Sequence, residues 1–257
     1  MSVLPVPSTS PLPQALAGRT AVIIGGSSGI GMAAGALLTS VGARVVLVGR
    51  DQDRLDAAVR RVGGDALGVS AEVSDERSLE RAFELAGTVD HVLVTAGGFG
   101  GGALESTPGP EVRHHVDSRV WGAYTAARLA ARRLPAGGSI TFSSGVYATR
   151  PLPGVSAAVA ALGAVESLTR ALAVELAPRR LRVNTIRFGI FDTPLSRGAF
   201  GAGHDSAGDQ AVAEHGATLP LGRFGTPEEA ASAALFVMAN AYVTGTVLTV
   251  DGGASLA

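Results

Sequence analysis

Residues 23–35 read IIGGSSGIGMAAG, and three of these glycines stand where binding a phosphate would need them. Gly25 allows a tight turn after a β-branched run, Gly29 lets an anion come up against the backbone, and Gly31 lets the next helix pack close to the strand. The amides around Ser27, Ser28 and Ile30 then open a helix whose positive dipole end favours a diphosphate. A Gly-rich connecting turn is the plain alternative, but the strand before it, the helix after it and the repeated unit that follows favour the cradle. The second strand ends VVLVGRD. A dinucleotide fold that prefers NAD places an acid there for the adenosine ribose, whereas this chain has Gly49 followed by Arg50. A guanidinium at that point suits the extra phosphate of NADP, so NADP(H) is the expected cofactor, with NAD(H) as the alternative. In the competing reading, Arg50 pairs with Asp51 or Asp53 on an exposed turn.

Other chemistries find little support. The chain has no cysteine, which removes disulfides and thiolate metal sites. His91, His114, His115, His204 and His215 lack metal-ligand spacing on any one helix face, so no metal is expected. Trp121 and Tyr124 read as core or interface rather than as a substrate platform. A net charge of −1 offers no field for nucleic acid or an anionic membrane. All 21 basic residues are arginine, since the sequence contains no lysine.

The elements that must position these residues alternate from Thr20 onward. Strands are predicted at 20–25, 43–49, 66–71, 91–97, 138–144, 181–186 and 246–250, and helices at 31–41, 53–62, 75–86, 111–134, 155–177 and 227–239. The strands are too continuously apolar for a half-wet antiparallel sheet. The expected fold is therefore α/β: a Rossmann-type, doubly wound parallel sheet forming a single domain over residues 18–257. Residues 1–17, with four prolines and no charge, read as a flexible N-terminal tail rather than a secretory signal. No apolar run is expected to span a membrane, and a soluble cytoplasmic protein is anticipated. Residues 97–110 and 191–225, rich in Gly, Pro and polar residues, fall outside the alternation and are expected to line the site.

At this point the chain resembles the short-chain dehydrogenase/reductase family over everything after the tail. GGSSGIG (25–31) is similar to that family's glycine loop, with Ile24 where threonine is usual. VTAGG (94–98) looks like its NNAG strand end, and AEVSD (71–75) like its adenine-contacting step, with Glu72 in place of aspartate. RVNTIRFGIFDTP and GRFGTPEEAASAALFVMANAYVTGTVLTVDGG resemble its C-terminal third. The resemblance implies an NAD(P)-dependent oxidoreductase, with Glu72, Val73, Ala96, Gly97, Gly98, Ile190 and Thr193 joining the glycine loop and Arg50 as coenzyme contacts. It also implies catalysis by a Ser, a Tyr and a Lys, often with an Asn; the Lys lowers the pKa of the Tyr so that the phenol works at neutral pH.

This chain departs from that pattern at its centre. The Tyr and Lys positions fall on Ala158 and Leu162, and shifting the alignment by one residue still gives only Ala, Val or Gly. The Asn position falls on Arg119. Only the serine remains, at Ser144 or the adjacent Ser143. Three readings follow. In the first, a redox enzyme acts on a small carbonyl or alcohol through a rebuilt site: Ser144 or Tyr147 supplies the proton, and Arg119 or Arg150 the positive charge. In the second, the protein binds nucleotide without turnover, as a sensor or the silent partner of an active homologue. The third is non-redox catalysis on the same scaffold. The small residues of VSAAVAALGAVESL (155–168) let another helix approach closely, so a homo-oligomer, dimer or tetramer, is implied, with a hetero-oligomer as the alternative.

Overall fold

The computed structural model describes residues 14–98 and 100–257. Seven strands form one parallel sheet: β1 (Thr20–Ile24), β2 (Arg44–Gly49), β3 (Leu67–Ser70), β4 (His91–Val94), β5 (Ser139–Gly145), β6 (Arg182–Phe188) and β7 (Val247–Val250). Their spatial order is β3-β2-β1-β4-β5-β6-β7, so the chain reverses its direction of winding between β1 and β4. A ligand cleft belongs beyond the carboxyl ends of the strands at such a switch. The central strands β1 and β4 are buried throughout, including Thr20 and His91 ahead of their apolar runs.

Helices cover both faces. Alternation along each strand sends Ala21, Ile23, Val45 and Leu47 to one side, against α1 (Gly29–Ser40), α2 (Gln52–Val62) and α9 (Pro227–Ala239). Val22, Ile24, Val92, Ile140 and Phe142 point to the other side, against α3 (Glu76–Ala86), α5 (Gly122–Arg133) and α6 (Ser156–Leu176). Local signals set the helix limits. Asp51 and Asp75 cap α2 and α3 by accepting backbone N–H groups, and Gly63 and Gly87, both at positive φ, end them. Thr226 and Glu229 form a capping box in front of Pro227.

Four expectations need correction. Of the predicted tail, residues 1–13 lie outside the described residues, but Gln14–Leu16 form a 3-10 turn with Leu16 fully buried, so the packed domain begins ahead of Gly18. The single helix predicted at 111–134 is α4 (Gly109–His115) and α5, joined by a π-helical stretch, Val116–Trp121. Residues 191–225 contain α7 (Pro194–Ala199) and α8 (Ser206–Ala217), whose caps Thr193 and Asp205 were hidden among loop-forming residues. Finally, residues 156–179 are long and apolar enough to cross a membrane by length and composition. In the fold this segment is a core helix whose Ala158, Leu162, Val165 and Leu172 pack inward.

Candidate active site

The glycine loop folds tightly on itself and on the end of β4. A Cβ on Gly31 would lie 2.3 Å from the Gly25 carbonyl oxygen, and one on Gly25, at φ +94, would lie 2.6 Å from the Ala96 nitrogen. Thr95 Oγ1 ties the two strands by donating to the Gly25 carbonyl at 3.2 Å. Ser28, the N-cap of α1, is extended and makes no side-chain capping bond, so the first amides of the helix stay open to an anion. This cradle is one wall of a cleft of about 620 Å³, a volume suited to a cofactor. All the residues expected at a coenzyme line it: Gly25, Ser27, Ser28, Gly29, Ile30, Gly31, Arg50, Glu72, Val73, Ala96, Gly97, Gly98, Ile190 and Thr193.

At the adenosine end, Gly49 keeps the two loops close, since a Cβ there would meet Ser27 Oγ at 3.2 Å. Arg50 does not pair with Asp51, which caps α2 through the Arg54 amide, nor with Asp53. Its Nε lies 3.9 Å from a Glu72 carboxylate oxygen, and its side chain is 72% exposed. Arg54 lines the same end of the cleft, a second guanidinium that sequence reasoning missed.

At the other end, Ser144, Tyr147 and Arg119 line the same cleft from three elements. Ser144, buried at the end of β5, donates its Oγ hydrogen to Glu166 Oε1 on α6 at 2.8 Å. Glu166 is in turn gripped by Arg187 of β6, whose Nε reaches Oε1 at 2.9 Å and whose Nη2 reaches Oε2 at 2.6 Å. The hydrogen bonds to Glu166 raise the pKa of Arg187 above its ordinary value. Sequence reasoning missed both residues. Their signal was an acid directly after the apolar run 157–165 of α6 and an arginine inside a buried strand.

Arg119 projects from the π-helical stretch. Its Nε and Nη2 both donate to the Gly98 carbonyl, at 3.0 and 2.7 Å, and among the described residues no carboxylate pairs with it. Burial pulls its guanidinium down to about 10. Gly97 makes room for it, because a Cβ there would come 3.0 Å from the Arg119 side chain. Tyr147, in the short turn after β5, has its phenol pushed above the ordinary value by burial. The Tyr147 hydroxyl therefore keeps its proton at neutral pH. Arg150 is not a substitute cation here, because its Nη1 turns away to the Ala254 carbonyl at 2.7 Å. Leu162, 2% exposed, packs against Gly145 where the family resemblance places a lysine.

The flanks of the cleft come from the two stretches outside the alternation. Gly97 and Gly98 begin one; Thr193, Leu195 and Phe200 on and around α7 belong to the other. Arg197 clamps this second flank with two bonds to the Asp192 carboxylate and one to Asp209. His114 and Ser118 also line the cleft, which gives one histidine a place at the site. Trp121 and Tyr124 are not core: each is 45% exposed, and their rings stack at 6.0 Å.

A family model described as enoyl-(acyl carrier protein) reductase matches residues 25–255. The chain is 34% identical over 246 residues to carbonyl reductase family member 4 of Danio rerio, covering 93% of this chain and 98% of that protein. It is also 34% identical over 222 residues to inactive 2-(S)-hydroxypropyl-CoM dehydrogenase 2 of Xanthobacter autotrophicus, covering 82% of this chain and 95% of the relative. A solved structure titled short chain dehydrogenase/reductase family protein superposes with a TM-score of 0.82 at 33% identity, covering 94% of this chain and 99% of the other.

Proposed function

Because the chain belongs to the short-chain dehydrogenase/reductase family and is an NAD(P)-dependent oxidoreductase, we propose that it uses NADP(H) on a small carbonyl or alcohol through a rebuilt site. The observation that carries this reading is the continuity of one cleft from an uncapped helix start, closed tightly by Gly25 and Gly31, to Ser144 and Tyr147. The open amides of α1 suit the diphosphate, and Arg50 with Arg54 suit the ribose phosphate. Ile190 and Thr193, at the far end of the cleft lining, would hold the nicotinamide end. Bound coenzyme supplies or accepts the hydride.

The chain's own groups handle the substrate oxygen. Tyr147 keeps its phenolic hydrogen and donates it in a hydrogen bond. Arg119, which among the described residues pairs with no carboxylate, lowers the cost of negative charge developing on that oxygen. Leu152, Leu162 and Phe200 make the surroundings apolar. The protein works in the cytoplasm as a homo-oligomer, joined along the small-residue face of α6, where a Cβ on Gly163 would meet nothing within 4 Å.

The missing lysine and the relative named inactive favour a second reading, a nucleotide-binding sensor or silent subunit. One experiment separates the two: calorimetry with NADPH and NADH, followed by absorbance of NADPH with a panel of small ketones and aldehydes. Tight NADPH binding with turnover supports the enzyme. Binding without oxidation of NADPH supports the sensor, and no heat with any coenzyme refutes both.

A further inference from the structure

The chain Ser144–Glu166–Arg187 lies directly behind the cleft, and the chemistry proposed above makes no use of Glu166. An ionised carboxylate accepts hydrogen bonds and has no hydrogen to give. Glu166 is paired as such a carboxylate, since one guanidinium donates to both of its oxygens, at 2.9 and 2.6 Å. The hydrogen on the 2.8 Å line between Ser144 Oγ and Glu166 Oε1 is therefore the serine's own. A hydroxyl carries one hydrogen, so with that hydrogen turned inward Ser144 presents only lone pairs to the cleft it lines.

We propose that Glu166 is a positioning residue that makes Ser144 an acceptor, so that the site selects a substrate presenting an O–H group, an alcohol, over the matching ketone. A ketone oxygen brought to Ser144 would set lone pairs against lone pairs. An alcohol gives its hydrogen to Ser144 and keeps its own lone pairs free to accept. Arg187 holds the arrangement from behind: its Nη1 reaches Thr249 on β7 at 3.2 Å, so the guanidinium is anchored on one side while gripping Glu166 on the other. The inference deepens the oxidoreductase reading and rests on it, assigning the direction in which the ground-state complex is favoured.

The test is equilibrium binding, free of turnover. Protein saturated with 1,4,5,6-tetrahydro-NADP, which cannot transfer hydride, is titrated with cyclohexanol and with cyclohexanone. The alcohol is expected to bind about tenfold more tightly, the scale set by leaving one buried polar group unpaired. In Ser144→Ala the ratio falls to near one. In the double variant Glu166→Met/Arg187→Met, which removes both charges together and so spares the fold, Ser144 regains free rotation and the preference also falls to near one. Equal affinities in the native protein, a preference for the ketone, or a tenfold preference that survives the double variant would each overturn the inference. Absence of heat from the coenzyme analogue itself would instead overturn the nucleotide reading beneath it.

Discussion

Replacing Arg187 by methionine strips the one cation that, among the described residues, pairs with a carboxylate buried to 9% side-chain exposure. Glu166 would lose two of the three hydrogen bonds described here, the 2.9 and 2.6 Å contacts, and keep only the one from Ser144. Breaking a buried pair from one side costs about 3–5 kcal/mol, because the charge left behind is desolvated and uncompensated. For a chain of this size each kcal/mol moves the melting midpoint by about 2–4 °C, so Arg187→Met is expected to lower Tm by roughly 6–20 °C. Screening by salt should not erase the deficit, since the group is inside. The double variant Glu166→Met/Arg187→Met removes the stranded charge and should recover most of the loss. Calorimetric melts of the native protein, both single variants and the double, at low salt and in 1 M NaCl, measure this directly. If the single variant melts within 1 °C of native, or the double variant melts below both singles, the buried pair does not hold the end of β5 as described.

Three further outcomes are expected. Gly31→Ala would drive a methyl to 2.3 Å from the Gly25 carbonyl, opening the loop and abolishing coenzyme binding in calorimetry while the sheet still melts cooperatively. Arg50→Ser should weaken NADPH binding by about 10- to 100-fold, the worth of a charge-assisted hydrogen bond, and leave NADH binding unchanged; an equal loss for both coenzymes would remove Arg50 from the ribose phosphate. His91, hydrogen-bonded to Ser139 at 2.8 Å, is held down to about 4 from 6.5 by burial. Between those pH values the unfolded chain binds a proton that the folded one does not, so stability should fall by up to about 3 kcal/mol as pH drops from 6.5 to 4. Urea midpoints across that window should flatten in His91→Gln.

Local pattern carried most of the architecture. Seven β-branched runs became the seven strands, and the helix expected at 227–239 begins and ends at those residues, because Thr226, Pro227 and Glu229 act within one turn. The cradle was legible for the same reason, as its glycines, amides and helix start are consecutive in the chain. The expectation that the family's tyrosine and lysine positions fall on Ala158 and Leu162 needed only the residue types there and the absence of lysine from the sequence.

What the chain alone left undecided depends on groups distant in sequence. Nothing near Ser144 shows that its hydrogen points inward; that follows from Glu166 and Arg187, which reach it only when β5, α6 and β6 pack side by side. Arg50 meets Glu72 rather than its neighbouring aspartates, and Arg150 turns to the far end of the chain, both outcomes of how loops assemble above the sheet. The π-helical stretch that presents Arg119 is likewise invisible to a 3.6-residue period, since helix periodicity records which face is apolar and not where one extra residue is inserted. Sequence determined the elements and the residues available for chemistry. Packing determined which hydrogen-bonding direction and which charge each of them offers to the cleft.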